Sequence, residues 1–421
     1  MTGRHEIPYA LIARGIQGSV MLGAAVIMIW RVPAAAQGFL WVFMSLGALQ
    51  QAGDCGLTQV VLQTANFHAA RGDAGALAGF WRLAKRIAAA TIPAAALIAY
   101  LAGMFFFDAA GDAAATPWHA SWAAFVCGTM TAQLLFLGVA YIEGAVSVTA
   151  SWRFQACLEG ISGFAFLLGL WSGAGLWSAV LYAAVRTTVT AAWLASKRRH
   201  FGRALPAEYG LADWRREVWP YQWKVALNAF TGILIFRAMT PVVLAEHGAA
   251  AAGRFGFSLA LMNTWLSLTA VWPLSQTVRL GTALNRENLA EVRRIFRATL
   301  AGSTVFAVAG AAAALAALWA IETASPGFAS AYAGLEATGF LLAAAVGHHL
   351  LFCIAVLLRS ERRDPLLPFS IGGSLFTLGV VWLAAHIGTI ANVAAAYFVC
   401  TCIGLALVLA TFHAQLRRAL G

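Results

Sequence analysis

The chain has 421 residues, 61% of them hydrophobic and only 11% charged, with 16 Trp, 26 Phe and a formal net charge of +11. A water-soluble globule cannot cover that much apolar surface with so few charges, so the composition excludes one and predicts an all-α polytopic membrane protein. The six cysteines lie in or beside apolar runs without CxxC or Cys/His spacing, which predicts buried free thiols and argues against zinc; no cofactor is expected.

A crossing helix needs about 20 apolar residues. On that measure the first span covers 9–30, at signal-anchor length and carrying Arg14, so cleavage after Ala36 is not expected. Further spans follow at 37–62, 84–107, 118–142, 153–171 and 174–196. The longest and most charged connection, 197–217, then separates a second set at 218–243, 253–278, 297–320, 331–358, 366–387 and 390–412. Two sets of six predict two repeats: an N-lobe over 1–196, a cytoplasmic linker over 197–217 and a C-lobe over 218–421.

Placing both termini in the cytoplasm puts 22 of the 28 Lys and Arg on the inner side, leaves only Arg31 and Arg254 outside, and keeps four within spans. The net charge is therefore a topology signal and an attraction to anionic membrane lipids, with no nucleic-acid partner implied. Trp30, Trp41, Trp118, Trp122, Trp171, Trp177, Trp319 and Trp382 read as outer-interface anchors, and Trp81, Trp193, Trp214 and Trp219 as inner ones. Outer connections are short, and their acids (Asp108, Asp112, Glu246 and Glu322) form no Asp-x-Asp, HExxH or P-loop pattern. An enzyme is not expected.

The four intramembrane cations are Arg14, Arg186, Lys224 and Arg237. A charge at the bilayer centre costs a few kcal/mol or more, so such groups mark a substrate pathway by default, here one for an anion. Gln17 shares a helical face with Arg14. In span 2, Gln50 and Asp54 share one face, and Gln59, Gln63 and Asn66 another; one stripe is expected to line a cavity and the other to bridge helices. An Asp54–Arg14 ion pair is the structural alternative. Arg14 and Lys224 enter low and are also placed to snorkel, Arg186 lies near the midplane, and Arg237 sits in the outer third. Lys224 and Arg237 are 13 residues apart, about 140° around a straight helix, so both face one cavity only if span 7 bends. Asn228 completes the candidate substrate-binding set on that span. Glu336, His348 and His349 form a weaker relay candidate, since about 18 Å of helix separates the acid from the histidines.

Three stretches carry a family resemblance. They are WPYQWKVALNAFTGILIFRAMTPVVLAEHGAAAAGRFGFSLALMNTWLSLTAVW (Trp219 to Trp272), QGFLWVFMSLGALQQAGDCGLTQVVLQTANFH (Gln37 to His68), and WRFQACLEG with the following GLWSGAGLWSAVLY. With the Gln-Trp-basic start of span 7 and its Thr-Pro near the outer end, they resemble the bacterial polysaccharide-export flippases. These form the Wzx-type branch of the multidrug/oligosaccharidyl-lipid/polysaccharide (MOP) exporter superfamily. The resemblance covers about a quarter of the chain. It implies a MATE-like fold in the bacterial inner membrane, two six-helix lobes alternating access to a cationic cavity. The implied substrate is an undecaprenyl-pyrophosphate-linked oligosaccharide, with a coupling cation and polysaccharide polymerase or chain-length machinery as further partners. A multidrug/cation antiporter of the same fold is the first alternative, kept open by Asp54 and Glu159. A membrane polymerase or ligase is the second, and it lacks the large outer loop it would need.

Overall fold

The computed structural model describes residues 6–109, 116–201, 210, 213–286, 288–359 and 366–420. Thirteen α-helices account for nearly all of them: α1 Glu6–Arg31, α2 Ala34–Ala52, α3 Leu57–Ala70, α4 Ala74–Ala109, α5 His119–Ala145, α6 Val148–Trp171, α7 Trp177–Ser196, α8 Trp219–Arg237, α9 Met239–Asn285, α10 Leu289–Ala324, α11 Leu335–Arg359, α12 Leu367–Ile387 and α13 Ile390–Leu420. There is no strand among the described residues, as an apolar solvent demands of a spanning chain that must satisfy its own backbone. Among the described residues, eight helical stretches are long and apolar enough to cross a membrane by length and composition, with shorter apolar stretches in α1 and α2. The protein is thus multi-pass.

Two predicted spans are broken rather than continuous. Span 2 divides into α2 and α3 around residues 53–56. Span 7 is α8 followed, after a bend at Ala238, by the start of α9, which itself breaks at Gly248 (φ 79°, ψ 175°). That backbone conformation is open essentially to glycine alone.

The chain divides into two compact units, Met1–Ala249 and Ala250–Gly421. In the first, α1 packs on α6, α3 on α4 and α5, α7 on α5 and α6, and α8 on α2 and α3. Close approach needs small residues, because lipid tails are as apolar as leucine and packing drives helix association. A Cβ at Gly144, for example, would stand 2.2 Å from the Leu62 carbonyl oxygen. Ser147 caps α6 by accepting from Ala150 N–H at 3.2 Å.

Five of the eight predicted outer tryptophan anchors are exposed, led by Trp30 at 80%. The other three are not anchors. Trp41 is buried, and Trp118 and Trp122 are fully enclosed with Phe39, Phe43, Phe107 and Phe125. Trp122 lies against Gly103, where a Cβ would come within 2.3 Å of its Nε1, and that nitrogen donates to the Tyr100 carbonyl at 3.2 Å. Of the inner tryptophans, Trp81 and Trp214 are likewise core residues. Trp214 stacks on Phe80 (5.8 Å, 11°) and Phe201 on Tyr141 (5.3 Å), so both described ends of the charged connection pack into the first unit.

In the second unit α11 packs between α10 and α13, and α12 packs on α13. One end is a cluster that includes Leu280, Phe296, Leu357 and Phe412. Toward the other, Ser258 and Thr338 hydroxyls meet at 2.8 Å and Ser258 also accepts from Ala333 N–H at 3.2 Å. Asn288 caps α10 by accepting from Glu291 N–H at 3.1 Å. Beyond α10, Tyr332 donates its hydroxyl back to Glu322 in the last turn of that helix. All six cysteines are free, but only Cys353 and Cys400 are buried. The other four are exposed, against the expectation of burial.

Candidate functional site: a polar cavity inside the first unit

The break in span 2 supplies one wall. α2 ends at Ala52, Gly53 N–H turns back to the Gln50 carbonyl at 3.0 Å, and Cys55 (φ 52°) and Gly56 (φ 70°) take left-handed conformations in succession. This reverses the local backbone and leaves the first N–H groups of α3 without helical partners. Asp54 satisfies two of them: its Oδ1 accepts from Gly56 N–H at 2.8 Å and its Oδ2 from Thr58 N–H at 3.1 Å. The carboxylate also stands at the positive end of the α3 dipole. From α8, Gln222 Nε2 donates to the Cys55 carbonyl at 3.3 Å. Asp54 therefore caps a helix start and does not share a continuous face with Gln50. Broken backbone at membrane depth persists only where protein or a polar cavity surrounds it.

The α6–α7 hairpin supplies the opposite wall. Arg186 Nη1 donates to Glu159 Oε1 at 2.7 Å and to Tyr182 OH at 3.2 Å. The two charges lie at similar distances from the Ser172–Leu176 turn, so an antiparallel pair of helices places them at one level. Their side chains are 19% and 15% exposed, partly open rather than sealed. Arg186 uses one nitrogen in these bonds; its Nε and Nη2 make no hydrogen bond among the described residues. The third wall is α5. There Thr129 donates to Gln50 Oε1 at 2.8 Å, while Gln50 Nε2 donates to the Val126 carbonyl at 3.2 Å.

Between these walls lies a cavity of about 240 Å³ lined by Asp54, Thr58, Thr129, Ala132, Gln133, Phe136, Tyr182, Ala183 and Arg186. Asp54 and Arg186 both line it, and Arg186 is paired with Glu159. Hydroxyl, amide and guanidinium groups together can bind either a polyhydroxyl ligand or an ion. No group of three His, Cys, Asp or Glu among the described residues is arranged to hold a metal.

Of the sequence-derived candidates, Gln50, Asp54 and Arg186 meet here. The others lie elsewhere. Gln17 is exposed on α1, and the Arg14 side chain, with its expected pairing to Asp54, lies outside the described residues. Lys224 is exposed on α8 with its ammonium 5.8 Å from the centre of the Trp223 ring. Asn228 is half-buried, and Arg237 is half-buried in the last turn of α8, where a cation complements the helix dipole. The bend in span 7 falls at Ala238, after Arg237, so Lys224 and Arg237 leave one unbroken helix about 140° apart.

One pairing escaped the sequence, and one stripe that the sequence identified has a face the structure exposes. Glu159 was legible as an intramembrane acid but not as the partner of Arg186; similar distance from the hairpin turn was the available signal. The stripe Gln59, Gln63 and Asn66 is exposed on α3, and α8 with Lys224 packs beside that helix. Amides exposed at membrane depth are unfavourable against hydrocarbon, so this face suits a polar passage.

No protein-family model matches the sequence, and no curated protein matches it. Solved structures do match in fold. A multidrug-resistance MATE family transporter of the MOP superfamily, inward-facing, aligns with a TM-score of 0.65 at 12% identity over 97% of this chain and 98% of that one. The lipid II flippase MurJ, inward closed, gives 0.66 at 12% identity over 97% and 88%. The MATE multidrug transporter DinF-BH gives 0.62 at 15% identity over 100% and 97%. The chain has the fold these transporters and this flippase share.

Proposed function

We propose that this protein is an alternating-access flippase of the bacterial inner membrane that carries an undecaprenyl-pyrophosphate-linked oligosaccharide from the inner to the outer leaflet, for surface polysaccharide assembly. The exposed stripe Gln59, Gln63 and Asn66 on α3, with the exposed Lys224 on the neighbouring helix α8, carries the reading. Amides both donate and accept, as sugar hydroxyls require, and a lysine on the adjacent helix suits a phosphate. The shared fold with a lipid II flippase supports it, as does Arg186 with donors unspent toward the cavity. The lipid tail stays in the bilayer while the headgroup crosses along the polar face. An inside-negative potential favours outward movement of two negative charges by on the order of 4 to 5 kcal/mol per 100 mV.

The test is reconstitution in proteoliposomes with a fluorescent undecaprenyl-diphosphate saccharide, reading the fraction protected from an external quencher. Time-dependent equilibration that Lys224→Ala and Gln63→Leu slow at least tenfold is expected; equilibration no faster than in protein-free vesicles overturns the reading. One observation favours a second reading, a multidrug/cation antiporter: the Arg186 guanidinium is already paired with Glu159, while the cavity that Arg186 lines also holds the Asp54 carboxylate. The same vesicles loaded with a cationic dye distinguish the two, because dye efflux without saccharide flipping supports the antiporter.

A further inference from the structure

Two adjacent histidines on α11 reach different helices. His348 Nε2 lies 2.8 Å from Tyr397 OH and 3.2 Å from Thr401 Oγ1, both on α13. His349 Nε2 lies 2.8 Å from Ser303 Oγ on α10 and 3.5 Å from Cys353 Sγ one turn along its own helix. Ser303 has a single hydroxyl proton and donates it to the Thr299 carbonyl at 2.7 Å. The arrangement that lets both bonds form has Ser303 accept from His349, with the imidazole proton on Nε2. Nδ1 is then a bare lone pair, buried and without a hydrogen-bond partner among the described residues.

Among the described residues, the neighbours recorded for this base carry no full charge. α10 presents Ser303 and Thr299, α11 presents Cys353 and His348, and α13 presents Tyr397, Thr401 and the nearby Cys400. The charged residues of α10 lie near its ends, Glu291, Arg293, Arg294 and Arg297 at one and Glu322 at the other. Glu336 is in the first turn of α11, about 20 Å along the helix from His349. α9 meets α11 at Ser258 and Thr338, both neutral, and His386 is in the last turn of α12. A proton on Nδ1 would create a buried charged donor with nothing to accept it, which this packing strongly disfavours. Protonation becomes favourable once α11 moves far enough from α10 for water to reach the ring.

We propose that His349, held by Ser303 and Cys353, is a proton-binding site inside the second unit, unprotonated in this closed packing and occupied when α11 parts from α10. The Nδ1 lone pair takes the proton from water and returns it to water as the helices close. Use of the site to couple proton movement to transport rests on the transport reading above; proton binding itself does not.

Cys353 reports on the site without any substrate. In protein whose other five cysteines are replaced by alanine, held in lipid nanodiscs, its N-ethylmaleimide labelling rate is measured from pH 8 to pH 5. Labelling governed by thiolate alone falls about tenfold per pH unit below the thiol pKa. The expected result is a much shallower fall below about pH 6.5, leaving the rate at least tenfold above that extrapolation at pH 5.5, with His349→Gln restoring the tenfold-per-unit line. Ser303→Ala, which keeps the histidine but removes its partner, is expected to move the pH of the departure. The proposal is overturned if wild-type labelling follows the thiolate line throughout, if the acid excess persists in His349→Gln, or if Ser303→Ala leaves its onset unmoved. Because no substrate is added, failure of the transport reading does not alter these outcomes.

Discussion

The two units handle interior polarity in opposite ways. The first keeps full charges, Glu159 against Arg186 and Asp54 against backbone N–H groups, around an open cavity of about 240 Å³. The second threads neutral side chains, Ser303, His349, Cys353, His348, Tyr397 and Thr401, through a closed helix packing. A buried charge keeps its ionisation only with a partner and some polar surroundings, so the charged interior comes with space and partial exposure. A neutral network needs neither, and its polar groups serve to register three helices against one another.

That contrast can be broken by mutation. The largest effect is expected for Arg186→Ala, which strands Glu159 and should lower stability by about 3 to 5 kcal/mol, read as a drop in thermal unfolding temperature in detergent. The double variant Glu159→Gln with Arg186→Gln should recover most of it; no recovery would mean that the pair is held by the fold rather than by mutual charge. Next comes Ser303→Ala, which leaves the His349 Nε2–H with only a thiol neighbour and should cost about 2 kcal/mol. An equal or larger loss than Arg186→Ala would erase the distinction between the units. Asp54→Ala removes the α3 cap and should cost about 1 kcal/mol, with faster amide hydrogen exchange at Gly56 and Thr58 as the local signature. The smallest change sharpens the picture of the break: Cys55→Gly relieves a left-handed β-carbon and should stabilise by roughly 0.5 kcal/mol or less, the gain being partly offset by glycine's greater unfolded-state freedom.

Much of the molecule was legible because a membrane simplifies the physics. Hydrocarbon requires long apolar helices, so runs such as 118–142 and 390–412 map onto α5 and α13, apart from the extension of α13 to Leu420. Charge and amide content at depth likewise picked out Asp54, Gln50 and Arg186. Helix breaks were harder to read. Around the break the sequence reads QQAGDCG, with two glycines and an aspartate that suit a turn, but glycines are common in continuous spans too, so the run alone does not separate a break from a continuous helix. The break is set by Asp54 folding back onto Gly56 and Thr58 and by Gln222 arriving from 167 residues away. Tryptophan position along a span predicted interface anchors, yet Trp118 and Trp122 turned inward because Gly103 opened a slot on α4.

By itself, then, the sequence determined the class, the traverses and the residues too polar to be idle, because each depends on transfer between water and hydrocarbon, which acts residue by residue. Only the tertiary structure decided who partners whom: that Arg186 answers to Glu159 across a hairpin, that Asp54 caps a helix, that the α3 amide stripe is exposed, and that two neighbouring histidines serve different helices. Those pairings depend on distances of about 3 Å between residues far apart in the chain, and no local pattern carries them.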